Sequence, residues 1–481
     1  MSLPLQLGLA DALPDLSVPT RPTAWPDPEL VLLNEPLAAE LGLDAAALSD
    51  NAARWFGGGA LPEHVQPRAW AYAGHQFGHL TPRLGDGRAA LLGELMRSDG
   101  TPVDLQLKGS GRTVFSRRGD GRAALDSVLR EYIISEAMHA LGVPTTRALA
   151  AVRTGETVQR YRTTPGGVLA RVASSHLRVG TVEYLAIQED HDTLRRLVGL
   201  ALDRHGTDGL DRDADHPALV LLEAVGRRQV RLVARWMELG FVHGIMNTDN
   251  TSLSGETLDY GPCAFMEATD PDKVFSLVDE GGRYAWGRQP RIVLWNLARL
   301  AEALLPIVDP DPQVAIPRAQ AVLERLIAHQ ETAWLDGMRR KLGLQGVTAT
   351  DQALADDLVA QLTRARADWT DSFRSLAEDL RHGRPALAGT IDGSWNTRWR
   401  ARLEGQDPVA TAARMDAHNP LYIPRNHLVE AALDAAIGGD FAPTRTLIEV
   451  LSDPFRAQPG REAYARPAPD GGQGHWTHCN T

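Results

Sequence analysis

A short stretch of the chain places oxygen-bearing side chains where they could hold a divalent metal ion. Asn250 ends the sequence His-Gly-Ile-Met-Asn-Thr-Asp-Asn at residues 243–250, and Asp259 begins the sequence Asp-Tyr-Gly shortly afterwards. Magnesium prefers oxygen donors and usually takes only one or two protein groups when substrate phosphates supply the remainder. We therefore predict that Asn250 and Asp259 are metal ligands beside a phosphate-bearing substrate.

The same stretch follows the order of a kinase catalytic loop with one residue changed. Kinases have the loop His-x-Asp-x-x-x-x-Asn followed by Asp-Phe-Gly, and the aspartate of that loop handles the proton of the acceptor. Ile245 occupies this position and cannot take a proton. Asp249 is the nearest carboxylate that could replace it, unless it only caps or orients the loop. The chain is therefore either catalytically dead or carries out different chemistry with its nucleotide.

A lysine and a glutamate further upstream fit an arrangement that points an ammonium group at phosphate. Lys108 ends a predicted strand, and Glu131 follows 23 residues later inside a predicted helix, the kinase order for such a pair. Lys108 is also one of only three lysines in the chain, and lysine and arginine are not interchangeable at a point contact. Taken alone, Glu131 is equally explained as part of a solvated helix face. With Asn250 and Asp259 downstream, four residues with distinct roles fall in the expected order.

Clusters of glycine and arginine flank this centre and could bind an anion through backbone N–H groups. They occupy residues 85–88, 109–112 and 117–122. Each is a weak signal by itself, because Asp-Gly is a common turn. The usual Gly-x-Gly-x-x-Gly loop before the lysine strand is absent, which suggests that the phosphates are held differently. Arg171 and Arg178 fall where the strand-rich and helical regions meet, and surface salt bridges are their plain alternative explanation.

The elements that must position these residues form two regions. Residues 66–180 are mostly predicted strands around one helix, whereas residues 181–458 show helical periodicity, including one long predicted helix over residues 350–382. We predict an α+β, bilobal, protein-kinase-like fold with a strand-rich N-lobe and a mainly helical C-lobe. Residues 1–65 are predicted to be an N-terminal extension packed on the lobes, and residues 459–481 a flexible Pro/Gly-rich tail.

Composition and charge exclude several classes of partner. The chain has 481 residues, a net charge of −11 and a pI near 5.8, so no global basic surface draws it to nucleic acid or to anionic membranes. No apolar run approaches the roughly 20 residues of a membrane span, and the N-terminal stretch lacks a basic start. Two cysteines exclude a disulfide framework and a cysteine-based zinc site. We expect a soluble, cytoplasmic protein without nucleic-acid or membrane partners.

Eight motifs together resemble the selenoprotein O family, called the YdiU family in bacteria. They lie at residues 73–78, 84–88, 106–111, 117–122, 175–181, 243–250, 259–262 and 419–426. The resemblance implies a pseudokinase fold that binds ATP upside down relative to protein kinases. It implies transfer of AMP, not phosphate, to Ser, Thr or Tyr hydroxyl groups of proteins, with release of pyrophosphate. It further implies magnesium or manganese as the metal, and use of UTP as well as ATP.

The resemblance also assigns roles residue by residue. Asp249 is expected to be the proton acceptor, and Asn250 and Asp259 the metal ligands. The residues expected to bind the nucleotide are Gly85, Gly87, Arg88, Lys108 with its partner Glu131, Asp120, Gly121, Arg171 and Arg178. On the residues alone two alternatives stay open: an ordinary phosphotransferase that has relocated its base, and a non-catalytic nucleotide-binding scaffold.

The two cysteines acquire a role only through the resemblance. Cys263 lies two residues after the Asp-Tyr-Gly, and Cys479 is third from the C-terminus, where some family members carry selenocysteine. The resemblance implies a regulatory disulfide between them that restrains the active-site loop. Two unrelated thiols are the alternative. The chain departs from the family at its end, which is Cys-Asn-Thr where Ser-Ser is common.

Overall fold

The fold combines a sheet-rich N-terminal part with a helical C-terminal part. The computed structural model describes residues 3–57, 59–160, 162–213, 215–383, 387–472 and 474–477. Within these residues an eight-stranded antiparallel sheet has the order β1-β3-β6-β7-β10-β9-β2, with β8 paired to β10 outside that path. Two small two-stranded sheets, β4-β5 and β11-β12, accompany it in the described chain.

The strands of these sheets are short except for the central ones. They are β1 (Ser17–Pro19), β2 (Glu29–Leu33), β3 (Arg68–Trp70), β4 (Gly74–Gln76), β5 (His79–Thr81), β6 (Ala89–Met96), β7 (Pro102–Lys108), β8 (Ala123–Ala124), β9 (Arg147–Gln159), β10 (Thr163–Ala173), β11 (Phe241–Val242) and β12 (Ala264–Phe265).

The α-helices dominate the chain after residue 178. They are α1 (Leu9–Ala12), α2 (Glu35–Glu40), α3 (Ala45–Phe56), α4 (Leu125–Ala140), α5 (Val179–Ile187), α6 (His191–His205), α7 (Pro217–Leu239), α8 (Gln289–Val308), α9 (Pro312–Lys341), α10 (Asp351–Ala365), α11 (Trp369–His382), α12 (Gly393–Arg402), α13 (Pro408–Asp416), α14 (Asn426–Ile437) and α15 (Ala442–Leu451). Short 3-10 turns occur at Pro14–Leu16, Thr248–Asn250, Trp286–Arg288 and Glu462–Ala465.

Strand β7 lies in the middle of the large sheet and presents different side chains to its two faces. Successive residues of a strand point to opposite sides of the sheet. Leu105 and Leu107 therefore join the hydrophobic core beneath α2 and α3, which cover one face. Gln106 and Lys108 point to the other face, where α4 packs against β9 and β10. This alternation directs the single lysine of the strand towards the helix that carries its partner.

The candidate metal-binding loop is closed by a pair of short strands. Helix α7 is buried along most of its length between α8 and α9, and it ends at Gly240, which adopts a left-handed conformation with φ +71°. Strand β11 follows directly and pairs with β12, so that Phe241 lies opposite Phe265. The ladder brings the two ends of the loop at residues 243–263 together, and it holds the intervening side chains in one place.

One detail of the structure contradicts the sequence-based prediction. The prediction of a single helix over residues 350–382 is wrong, because two separate helices, α10 and α11, occupy this range. Arg366 adopts a left-handed conformation with φ +49°, and the side chain of Asp368 accepts a hydrogen bond from the backbone of Asp371 at 2.8 Å, which starts α11. In the N-terminal region, β1 and β2 supply the two outer strands of the large sheet.

Among the described residues, no helix combines the length and the apolarity that a bilayer crossing requires.

Candidate active site

A cavity of about 850 Å³ opens between the large sheet and the loop at residues 243–263. It contains eleven of the twelve residues that the sequence predicts for nucleotide binding, proton transfer and metal binding. These are Gly85, Gly87, Arg88, Lys108, Asp120, Gly121, Arg171, Arg178, Asp249, Asn250 and Asp259. Glu131, the twelfth, lies behind Lys108. Elements far apart in sequence therefore converge on one pocket, of a size typical for small-molecule sites.

Two carboxylates and two cations form the centre of this cavity. Nζ of Lys108 lies 2.5 Å from Oε2 of Glu131 and also donates to Oδ1 of Asp259. Nη1 of Arg171 donates to the same Oδ1 at 2.7 Å and to Oε1 of Glu131 at 3.1 Å. Buried charges are tolerated only when they are paired and hydrogen-bonded, and here each cation has two carboxylate partners.

Arg178 adds a third cation to Asp259. Its Nη1 lies 3.2 Å from Oδ2 of Asp259 and donates to the backbone oxygen of Asp249 at 2.6 Å, while its guanidinium stacks on the ring of Tyr72. Burial alone would raise the pKa of Asp259, but Arg171, Lys108 and Arg178 together hold that pKa well below its usual value. Asp259 is therefore a permanent carboxylate surrounded by positive charge.

A buried glutamine that the sequence-based prediction missed fixes one of these cations. Oε1 of Gln106 accepts hydrogen bonds from Nε and Nη2 of Arg171 at 2.9 and 2.7 Å. Its Nε2 donates to Oδ2 of Asp86 at 3.0 Å. The signal that could have found Gln106 is its position two residues before Lys108, because strand alternation puts both side chains on the same face.

Asp249 and Asn250 sit side by side in a short 3-10 turn but have different surroundings. Oδ1 of Asp249 is buried without a hydrogen-bond partner among the described residues. Burial raises the pKa of Asp249 to about 6, against the opposing charge of Arg178. Nδ2 of Asn250 donates to the backbone oxygen of Ile245 at 3.1 Å, which fixes the orientation of the amide. One residue is thus poised to take up a proton, and the other presents a fixed amide oxygen.

The turn that carries these residues is held by the β4–β5 hairpin, which the sequence-based prediction also left without a role. Glu183 accepts hydrogen bonds from His75 and from the hydroxyl of Thr248, each at 2.5 Å. Oδ1 of Asn247 accepts from the hydroxyl of Tyr284 at 2.6 Å and from the backbone of residue 77. Three side chains from outside the loop thereby set its position.

Two of the glycine-rich clusters pack against each other at the wall of the cavity. The backbone N–H of Gly111 donates to the oxygen of Gly121 at 3.0 Å, and Gly121 adopts φ +73°. A Cβ on Gly121 would fall 2.2 Å from the backbone of Gly111, so only glycine fits. Asp120 beside it forms an ion pair with Arg160 at 2.7 Å.

A smaller cavity of about 370 Å³ lies on the other side of Lys108 and Glu131. It is bounded by α4, by α14 and by residues 474–477 of the C-terminal tail. Two of its arginines form ion pairs across it: Arg130 with Glu430, and Arg162 with Asp434.

The cysteines do not line either cavity in the described chain. Cys263 is buried, and its Sγ contacts the backbone oxygen of Tyr260 at 3.5 Å. Burial raises the pKa of its thiol to about 12. Cys479 lies outside the described residues. The nearest described part of the tail is Thr477, whose hydroxyl donates to the backbone oxygen of Pro262 at 2.7 Å.

Comparison with known proteins places the chain in a family. A family model described as Protein adenylyltransferase SelO matches residues 5–452, which is nearly the whole chain. The chain belongs to the SelO family. Relatives named protein nucleotidyltransferase YdiU agree with this. The protein from Cereibacter sphaeroides is 54% identical over 467 residues, covering 95% of each chain. The protein from Chromobacterium violaceum is 50% identical over 480 residues, covering 98% of this chain and all of the relative.

This SelO family chain keeps a polar loop centred on Asn250 and Asp259 while lacking an acidic side chain at Ile245. The resemblance stated from eight motifs is confirmed by the family match. Among the described residues, no three His, Cys, Asp or Glu side chains come close enough together to hold a metal ion.

Proposed function

We propose that this chain transfers AMP from ATP to Ser, Thr or Tyr hydroxyl groups of proteins and releases pyrophosphate. The observation that carries the proposal is the set of three cations, Lys108, Arg171 and Arg178, gathered on Asp259 inside a nucleotide-sized cavity. Membership of a protein adenylyltransferase family supports the transferred group. The relatives named protein nucleotidyltransferase support protein as the acceptor.

The cation cluster suits a substrate that brings several negative charges. Without a nucleotide, Glu131 and Asp259 neutralise Lys108 and Arg171. Phosphate oxygens would compete for the same N–H groups, since charge-assisted hydrogen bonds to phosphate are among the strongest available to arginine. The N–H donors are therefore already in place where phosphate charge would develop, so little reorganisation is needed during transfer.

Asn250 and Asp259 are the proposed ligands of Mg²⁺ or Mn²⁺. Both offer oxygen donors, and the amide of Asn250 is already oriented by its hydrogen bond to Ile245, so the donor set fits a hard divalent cation. Asp259 is largely neutralised by its three cations, and we expect weak metal binding by the protein alone. When bound, the metal would supply charge stabilisation at the reacting phosphate.

Asp249 is the proposed proton acceptor. The hydroxyl oxygen of the acceptor attacks the α-phosphorus, the bond from that phosphorus to the oxygen bridging it to the β-phosphate breaks, and pyrophosphate leaves. The proton of the hydroxyl passes to Asp249, whose Oδ1 has no competing hydrogen bond among the described residues. A pKa near 6 keeps the group ionised at neutral pH while leaving it basic enough to take a proton.

A bilobal, kinase-like arrangement is the proposed interpretation of the fold. Residues 66–180, which carry most of the large sheet and α4, would form the nucleotide-binding lobe. Residues 181–458 would form the helical lobe with the catalytic loop, and residues 1–65 would be an extension that completes the sheet. The pairing of Lys108 with Glu131 across a strand and a helix supports this proposal, because kinases use such a pair. The cytoplasm is the proposed location.

A redox-sensitive tail is the proposed form of regulation. Residues 459–481 would act as a tether. Thr477, two residues before Cys479, contacts Pro262, the residue next to Cys263. Thiol–disulfide exchange needs a thiolate, and the raised pKa of Cys263 keeps its thiol protonated in this arrangement. When the segment around Cys263 opens, an external disulfide such as oxidised glutathione would oxidise the two thiols by exchange, forming the protein disulfide and releasing two reduced glutathione molecules.

ATP labelled separately at the α- and γ-phosphates tests the proposal. Stable α-label on an acceptor protein, with γ-label recovered as pyrophosphate, is the expected result. Stable γ-label would instead identify a phosphotransferase, and neither label would identify a nucleotide-binding scaffold. Parallel reactions with UTP, and with Mg²⁺ exchanged for Mn²⁺, give the nucleotide and metal preference.

A further inference from the structure

A short segment at the rim of the nucleotide cavity carries two exposed apolar side chains. Val278 lines that cavity and is 54% exposed, and its neighbour Leu277 is 44% exposed. The preceding Phe275 is buried and anchors the segment in the core. An exposed apolar pair beside a polar active site offers a contact surface to a protein that approaches the site from solvent.

The main chain of the same segment is engaged by the C-terminal tail. The backbone N–H of Thr477 donates to the oxygen of Phe275 at 2.8 Å, and the N–H of Leu277 donates to the oxygen of Thr477 at 3.3 Å. Thr477 thereby forms a parallel bridge with Ser276. Thr477 therefore pairs like a one-residue strand with the oxygen of Phe275 and the N–H of Leu277, which have no other main-chain partner in the described chain.

The residue in that position lines the smaller cavity, and its buried hydroxyl contacts a residue that lines the nucleotide cavity. The hydroxyl of Thr477 donates to the backbone oxygen of Pro262, which together with Gly261 lines the nucleotide cavity. An extended segment on this edge would therefore bring a hydroxyl-bearing side chain to the border of the pocket that holds Asp249.

We propose that the main-chain edge at Phe275–Leu277 is the docking edge for the acceptor protein. An extended, hydroxyl-bearing segment of the acceptor pairs with it as an added strand, and Leu277 and Val278 contact apolar side chains of that segment. Residues 474–477 occupy the edge when no acceptor is bound. The inference rests on the proposed transfer to protein hydroxyls and names how the acceptor is held, since strand addition gives affinity through main-chain bonds and specificity through side chains.

The tail makes few contacts with this edge, as expected of a segment that an acceptor could displace. Of the described tail residues, only Thr477 forms main-chain bonds to the segment, and Trp476 beside it is 51% exposed. The hydroxyl of Ser276 is buried between these bonds and has no hydrogen-bond partner among the described residues. The tail is therefore held at this edge by two main-chain bonds and by the hydroxyl of Thr477, which is a small set of contacts for an acceptor segment to replace.

The test compares two variants of the tail in the full chain, each in a Cys479→Ala background with reductant, so that no disulfide holds the tail. Thr477→Pro removes the N–H that bonds to Phe275, and Thr477→Val keeps both main-chain bonds as the matched control. With α-labelled ATP and casein as an unfolded acceptor, Thr477→Pro is expected to lower the KM for casein at least about fivefold relative to Thr477→Val. The KM for ATP is expected to stay within about twofold.

A peptide and an edge variant provide the second arm. A synthetic peptide of residues 474–481 should inhibit the Thr477→Pro chain competitively against casein and not against ATP, and the same peptide with proline at position 477 should not inhibit. Leu277→Pro should raise the KM for casein, whereas Leu277→Ala keeps the N–H and should raise it less.

Unchanged KM for casein in Thr477→Pro, or inhibition by the peptide that is competitive with ATP, would overturn the docking edge while leaving the proposed transfer intact. Absence of α-label on casein with every variant, including the wild type, would overturn the transfer and the docking edge together.

Discussion

Gly74 lies directly against the carboxylate of Asp249: a Cβ placed on Gly74 would fall 2.4 Å from Oδ1 of Asp249. This is the oxygen that has no hydrogen-bond partner among the described residues. The absence of a side chain at residue 74 therefore leaves room for the proposed base, and a strand residue from another part of the chain sets its position.

Gly74→Ala is expected to lower kcat by at least about tenfold, because a displaced general base loses part of a contribution worth roughly 10²- to 10⁴-fold. The dissociation constant for ATP should change by less than about twofold, since the cation cluster is untouched. Steady-state kinetics and nucleotide titration check both numbers. Gly199→Ala is the control, because that helical glycine has open space around it. Equal kcat in the two variants would contradict the role of Gly74.

The pKa of Asp249 predicts the acidic limb of the pH–rate profile. Burial raises this pKa to about 6, so the carboxyl group is protonated below that pH and cannot accept the proton of the acceptor. The value of kcat/KM for the acceptor at saturating ATP should fall about tenfold per pH unit below 6. Asp249→Asn should be nearly inactive and lack this limb. An unshifted limb near pH 4 would contradict the assignment.

The same raised pKa predicts a gain in stability when Asp249 is replaced. The folded-state pKa lies above that of the unfolded chain, so the folded state binds the proton more tightly. The resulting stability is fully present below about pH 4 and is lost as the pH rises through 6. Asp249→Asn should therefore unfold at a higher temperature than the wild type at pH 8, and the difference should shrink at pH 5. Thermal unfolding monitored by circular dichroism measures both.

Removing Asp259 should produce a protein that phosphate compounds stabilise. Asp259→Ala leaves Lys108, Arg171 and Arg178 without a shared counter-charge, and breaking a buried ion pair typically costs about 3–5 kcal/mol. Transfer should be abolished. Metal-free pyrophosphate should raise the melting temperature of Asp259→Ala more than that of the wild type, because its oxygens replace the missing carboxylate. A smaller rise in the variant would contradict the proposal that this cluster binds phosphate.

Gln106→Leu tests whether the orientation of Arg171 matters for nucleotide binding. Leucine is similar in size, but Arg171 loses both hydrogen bonds to Oε1 and Asp86 loses one. We expect the KM for ATP to rise about tenfold with kcat changed less, together with a loss of stability of about 1–3 kcal/mol from unsatisfied buried groups. Gln330→Leu, a buried glutamine of α9, is the control for stability alone. A similar KM in both variants would show that Gln106 is structural only.

Local sequence patterns were sufficient to predict the individual residues of this site but not all of the contacts between them. The order of Lys108, Glu131, Asn250 and Asp259 could be read from the chain, and the structure brings Lys108 to Glu131 and to Asp259. The direct pairing of Asp259 with Arg171 and Arg178 could not be predicted, because it joins residues more than 80 positions apart. No spacing rule reports such contacts.

The secondary structure was likewise predictable where local patterns are strong and unpredictable where tertiary contacts decide. The long central strands and amphipathic helices follow their periodicity, whereas β1 has three residues and no pattern that distinguishes it from a loop. Its place is set by pairing with β3. The break between α10 and α11 did leave a local signal, because Asp368 precedes an apolar helix and caps it.

Intact mass spectrometry of an acceptor protein tests the central claim most directly. After incubation with this chain, ATP and Mg²⁺, the acceptor should gain the mass of one AMP group on a Ser, Thr or Tyr hydroxyl, and fragmentation should locate it. The Asp259→Ala chain should leave the acceptor unmodified. A gain of one phosphoryl group, or AMP transfer that persists in Asp259→Ala, would contradict the account.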